Sequence, residues 1–218
     1  MDLDHLRRRS PRTTRVVALI ASISAVACAS LGLTAASASA SLLPSCAARP
    51  TSTVFAPWGD THSYFPMPGG AFESGAPGWG LAGGAVVANG NESWYINSKT
   101  DAHSLAIPSG AVVTSPTVCV AMGEDSIRLF VRNTGVASSV LHVEAYVQNP
   151  LTGLVLSTGF NINGTSGPTT WSPTARLFIP NLLGGLVGTQ NLTLKFTPTG
   201  ARATWSIDDV YVDPFRSR

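Results

Sequence analysis

The residues best suited to chemistry lie near the end of the chain, in Trp205-Ser-Ile-Asp-Asp-Val-Tyr-Val-Asp-Pro214. Trp205, Ile207, Val210 and Val212 are apolar, and their alternation slips by one residue at Asp208-Asp209. Such a slip predicts a β-bulge, which re-aims one side chain and bends the strand. Acids are disfavoured inside strands. The pair therefore either holds a hard cation or sits solvated at an exposed strand end.

A second group of residues stands on two alternating segments. Ile127, Leu129 and Val131 oppose Arg128, Phe130 and Arg132, and Leu141, Val143, Ala145 and Val147 oppose His142, Glu144, Tyr146 and Gln148. The aliphatic side must be core. The other side combines aromatic rings with hydrogen-bonding groups, as a sugar surface requires: C–H faces stack on rings while hydroxyls bind polar side chains. An ordinary solvated sheet face with cross-strand Arg–Glu pairs has the same pattern. Trp94 follows the turn signal Asn89-Gly-Asn-Glu92 and either extends a binding edge or caps the core.

Motifs for a reaction are missing. Gly164-Thr-Ser-Gly167 lacks nucleophile-elbow spacing, no His-Glu-x-x-His occurs, and His62, His103 and His142 are scattered. Asp60-Thr-His62 is a local acid–base pair in form, but in a Pro-rich segment it reads as a turn beside an exposed His. Glycoside hydrolysis needs two carboxylates facing across a cleft, and Glu124-Asp125 are merely adjacent in a turn. The expectation is a protein that is not an enzyme.

The elements that must position these residues are short strands. From Gly69 onward, apolar alternation is punctuated by Gly, Pro and Asn turns, and only 182–187 offers a short helix. This predicts an all-β fold: a two-sheet antiparallel jelly-roll sandwich over residues 69–218. Residues 41–68 are rich in Pro, Ser and Thr and cannot hold a regular ladder, so they form an extended N-terminal arm whose Trp58, Tyr64 and Phe65 pack onto the domain. Residues 1–40 have a basic head, an apolar run and small residues ending in Ala-Ser-Ala, the order of a secretory signal peptide. An uncleaved N-terminal anchor is the alternative. Five of the fourteen basic and two of the twelve acidic side chains precede residue 41, so the remainder carries nine against ten. Nothing in that balance points to nucleic acid. Cys46 and Cys119 are the cysteines left after the leader, and in an exported chain they are expected to pair as a disulfide. A monomer is expected.

Gly69-Gly-Ala-Phe-Glu73, Gly78-Trp79, Ser104-Leu105 and Trp205-x-Ile-Asp-Asp-Val210 occur in that order. The chain thereby resembles the calcium-containing jelly-roll carbohydrate-binding modules of xylanases and related glycosidases, of galactose-binding-like fold. The whole stretch after the leader is similar to uncharacterised secreted proteins of actinobacteria. The resemblance implies a structural calcium where the first and last strands meet, with Glu73, Asp101 and Asp209 as ligands. It also implies a glycan partner, polysaccharide or cell wall. The competing reading is a secreted structural or surface-interaction protein with no sugar site.

Overall fold

The computed structural model describes residues 45–164, 169–181 and 188–213. The expected leader, 1–40, and the short helix expected at 182–187 lie outside the described residues. In chain order the strands are β1 (Phe65–Pro66), β2 (Gly80–Ala82), β3 (Val86–Asn89), β4 (His103–Ile107), β5 (Val112–Thr114), β6 (Val118–Ala121) and β7 (Ser126–Asn133). They continue as β8 (Val140–Gln148), β9 (Val155–Asn163), β10 (Ser172–Pro173), β11 (Leu177–Phe178), β12 (Thr189–Thr199) and β13 (Trp205–Asp213). Among the described residues there is no α-helix, only a single 3-10 turn at Ala56–Trp58.

Two antiparallel sheets make a sandwich of jelly-roll type. One runs β10-β7-β13-β4-β3, with β1 also on β13 and β11 on β7; the other runs β2-β5-β12-β8-β9, with β6 on β12. The aliphatic faces meet as expected. Leu105, Ile107, Ile127, Leu129 and Ile207 come from the first sheet, and Leu141, Val143, Val147, Leu192, Leu194 and Phe196 from the second. At ~25 cal/mol per Å² of apolar surface, this interior is the main source of stability.

β13 is buried along its whole length. β4 pairs with Trp205–Ile207, and β1 takes the same edge at Tyr211 and Val212. The register against β7 shifts between Asp208 and Tyr211, so the expected bulge is present. It lies where β4 gives way to the arm. The extra residue is Asp209, at φ 46° in the left-handed region, and it lets Ile207 and Val210 both face the core.

The arm is built as expected from packing aromatics, but it covers more than the sequence disclosed. Phe55, Tyr64, Phe130, Trp171 and Tyr211 form a second, smaller core on the outer side of the first sheet, with Trp58 and Ile96 against it. Cys46 is joined to Cys119, Cα–Cα 5.7 Å. Arg49 sits beside that link, 3.7 Å over the ring of Phe65, and its Nη2 donates to both oxygens of Glu124 at 2.6 and 2.7 Å. Closing a loop across 73 residues removes roughly 4 kcal/mol of unfolded-chain entropy. Reductant should therefore lower the free energy of unfolding in urea by about that amount, and a Cys46→Ser, Cys119→Ser double variant should show no further loss. A change below ~1 kcal/mol would mean that the link merely decorates an arm already held by packing.

Candidate functional site

The seven strand residues expected to share a ligand face do not share one. β7 pairs with β13, β10 and β11, whereas β8 pairs with β12 and β9. The stretch 134–139 carries the chain across the sandwich. Arg128, Phe130 and Arg132 therefore look outward from one sheet, and His142, Glu144, Tyr146 and Gln148 from the other. Period-2 alternation tells which residues of a strand share a face, not which strands are neighbours.

The β7 half of the expected face is also covered. Phe130 is fully buried under Phe55, rings stacked at 5.6 Å and 22°. Arg128 is buried too: its Nε donates to Thr174 O at 2.8 Å, its Nη1 to Asp60 Oδ2 at 2.8 Å, and its guanidinium lies 4.2 Å over Phe55. The guanidinium of Arg132 lies 4.9 Å over Trp171. Arg128 and Phe130 hold the arm, Arg132 is taken up by Trp171, and all three are withdrawn from the candidate surface. Trp94 remains exposed at 44%, while its ring meets Trp58 edge-on at 5.1 Å and lies 5.6 Å from Phe130.

The β8 half stands open. Register across β12, β8 and β9 makes polar rows: Asn191–Gln148–Val155, Thr193–Tyr146–Ser157, Lys195–Glu144–Gly159 and Thr197–His142–Asn161. These residues are half-buried or exposed. Tyr146 donates its hydroxyl to Glu144 Oε1 at 2.8 Å, and Lys195 Nζ donates to Oε2 at 2.9 Å. The Lys195 and Tyr146 hydrogen bonds hold the Glu144 carboxyl below its usual range, and the bond to Glu144 pushes the Tyr146 phenol up. His142 Nδ1 lies 2.7 Å from Asn161 Oδ1, and the bare face of Gly159 lies against the His142 ring. A Cβ at Gly159 would come within 2.9 Å of that ring. The result is a flat, charge-balanced surface with one oriented aromatic ring. It offers hydrogen bonds to hydroxyls.

The carboxylates gather around the bulge. Asp209 is buried, and burial, then Glu92, Asp101 and Glu73, push its carboxyl up to about 8. Asp208, also buried, is pushed up to about 9 by burial and then by Asp209. Asp209 thus feels the charges of Glu73 and Asp101, although they are distant in sequence. Two members were missed from sequence, Asp208 as a separate role and Glu92. Asp208 accepts from the backbone N–H of Glu92 at 3.0 Å, and the Glu92 carboxylate accepts from Trp94 N–H and Ile96 N–H. Glu92 is fully buried; an acid closing an Asn-Gly-Asn turn was the available signal.

Whether this cluster suits a cation divides by residue. Asp209 Oδ2 is buried without a hydrogen-bond partner, as an oxygen meant for a metal would be. Glu73, by contrast, accepts from Ala102 N–H, from His103 N–H and pairs with the His103 ring. Asp101 receives Asn97 Nδ2 at 3.1 Å. Among the described residues, no three His, Cys, Asp or Glu side chains meet closely enough to form a metal shell by themselves. Backbone carbonyls and water would have to supply most of the roughly 6–8 oxygens that calcium takes.

Among the described residues, no helix is long and apolar enough to cross a membrane. No family model matches the chain, and no curated protein matches it. Solved structures do. A family 61 carbohydrate-binding module bound to β-1,4-galactotriose is 15% identical, over 68% of this chain and 96% of that one, with a TM-score of 0.42. The C-terminal family 22 module of a Clostridium thermocellum xylanase is 13% identical over 66% and 90%, TM-score 0.39. A family 28 module specific for non-crystalline cellulose is 11% identical over 66% and 92%, TM-score 0.46. At these values the likeness is one of β-sandwich architecture, and it brings no ligand with it.

Proposed function

We propose that the protein is a secreted, non-catalytic glycan-binding module that uses the outer face of the β2-β5-β12-β8-β9 sheet. The observation that carries this reading is the open row system on β12, β8 and β9. Tyr146 is held by Glu144, Glu144 by Lys195, and the flanking Ser157, Thr193, Asn161 and Gln148 present hydrogen-bonding groups around it. A ring fixed before binding loses little freedom when a sugar stacks on it. The disulfide supports an oxidising location.

Insoluble-polysaccharide pull-down and a glycan array are the tests. Tyr146→Ala should weaken binding about 10-fold or more, the equivalent of ~1.4 kcal/mol, with the melting temperature unchanged. Loss of neither binding nor stability would remove this face from consideration. We further infer one structural calcium anchored by Asp209, with Asp101 and Glu73 beside it. The unpartnered Asp209 oxygen supports it.

The surface-interaction alternative has one observation in its favour. β9 is the edge of its sheet, and Val-Leu-Ser-Thr-Gly-Phe-Asn-Ile-Asn contains no charge and no proline. Natural edges are usually blunted by such residues. Pairing of this edge with another strand would appear as concentration-dependent dimers in sedimentation, abolished by Thr158→Pro.

A further inference from the structure

An apolar pocket lies where the arm bridges the two sheets. Phe65 and Pro66 of β1 bring the first sheet to it, Val118 of β6 brings the second, and Ala47 and Pro50 of the arm close it. Its volume is about 230 Å³. An apolar cavity of ~150 Å³ holds a benzene molecule, so this one has room for a single ring with a small substituent. It falls below the ~300–1,000 Å³ of drug-sized sites.

Each wall is held in place. Phe65 and Pro66 pair with Val212 and Tyr211 of β13, and Val118 and Cys119 pair with Leu192 and Asn191 of β12. Pro68, at the same rim, is fixed through its carbonyl, which accepts from Trp79 Nε1 at 2.9 Å. The Cys46–Cys119 link ties the arm to β6. Prolines at 50, 66 and 68 add rings of fixed φ. Walls of that kind resist collapse onto an empty centre.

The lining has few hydrogen bonds left to give. Proline carries no N–H, and the Pro68 carbonyl is taken by Trp79. The guanidinium of Arg49 lies over Phe65; its Nη1 donates to Cys119 O, and its Nη2 donates to both oxygens of Glu124. An anion would meet a cation that already has its carboxylate. A buried hydroxyl would lose its water without gaining a partner, which costs free energy. The ligand class is therefore apolar. A flexible aliphatic chain surrenders rotamer freedom on entering a rigid pocket, whereas a ring has none to lose.

We propose that this pocket binds a small neutral aromatic molecule of one ring, with any polar substituent left in solvent at the mouth. The site is independent of the glycan reading, because it neither uses the open sheet face nor takes a carbohydrate.

The test uses the full, oxidised chain, with fluorobenzene, phenol and benzyl alcohol as probes and 1-hexanol as the linear comparison. Fluorine line broadening and intermolecular NOEs are the readouts. At least one aromatic probe should bind with a Kd of about 0.1–1 mM and show NOEs to Phe65 and Val118. 1-Hexanol should bind about 10-fold or more weakly by comparison. Ala47 is an exposed lining residue, so Ala47→Trp should fill the pocket and weaken binding about 10-fold or more at an unchanged melting temperature. Tyr146→Ala should leave it intact. The proposal fails if no aromatic probe binds, if 1-hexanol binds equally well, if the NOEs fall elsewhere, or if Tyr146→Ala rather than Ala47→Trp abolishes binding. Leu42 and Leu43 precede Cys46 and lie outside the described residues. Probe binding that appears only after Leu42→Ser and Leu43→Ser would make those leucines the occupant and end the proposal.

Discussion

Phe55→Ala should destabilise the protein by about 3–5 kcal/mol, the cost of deleting a large buried aromatic. The residue belongs to the arm, yet it is fully buried. Its ring stacks on Phe130 at 5.6 Å and meets Tyr64 edge-on at 4.9 Å and Tyr211 at 5.8 Å. Arg128 lies over it and depends on the same site for its pairing with Asp60. Removing the ring therefore opens a cavity and loosens a buried ion pair, which is costly when one partner is left uncompensated. For a domain of this size the melting temperature should fall by roughly 10 °C. Limited proteolysis should then cut near residues 50–62 before the sandwich itself opens. A melting temperature within ~2 °C of the parent would show that the arm is an accessory and contributes little to the fold.

Without metal, stability should fall as pH rises from about 4 to about 9. Burial, together with mutual repulsion around the bulge, pushes the carboxyl groups of Asp208 and Asp209 up to about 9 and about 8. Unfolded, an aspartate titrates near ~3.9. Between those values the folded state holds more protons than the unfolded one, so stability declines with pH across the window. Below about pH 4 the contribution is fully present, and above about pH 9 it is lost. Calcium should reverse the decline by binding the ionised form: at 100 times its Kd it adds about 2.7 kcal/mol, a rise of roughly 5–10 °C at pH 8 over EDTA. Asp209→Asn should abolish the calcium response and reduce the pH slope, because it removes the unpartnered oxygen and one of the two charges. Equal melting temperatures in calcium and EDTA, together with a flat profile from pH 5 to 8, would leave these carboxyl groups with a purely local hydrogen-bonding role.

Local order was legible in the residues themselves. Alternation at 127–131 and 141–147 gave strands with the correct aliphatic faces, since a pleat alternates wherever it is. The slip at Asp208-Asp209 gave the bulge, and the two cysteines after the apolar N-terminal run gave the disulfide. Prolines at 44, 50, 57, 66 and 68 predicted an arm with no ladder, yet Phe65–Pro66 pairs with Tyr211–Val212 at the free edge of β13, where a missing N–H is tolerated. What tertiary structure alone decided was who covers whom. β7 and β8 are consecutive and alternate alike, yet the link 134–139 puts them on opposite sheets, and no local period encodes that choice. Phe130 and Arg128 point outward from their strand and are still buried, because Phe55 and Asp60, some 70 residues earlier, lie on them. Glu92 reads as a solvated turn acid until the fold seals it between Asp208 and the Trp94 backbone. Burial of an outward-facing residue depends on a distant segment's arrival, so only the assembled fold determines it.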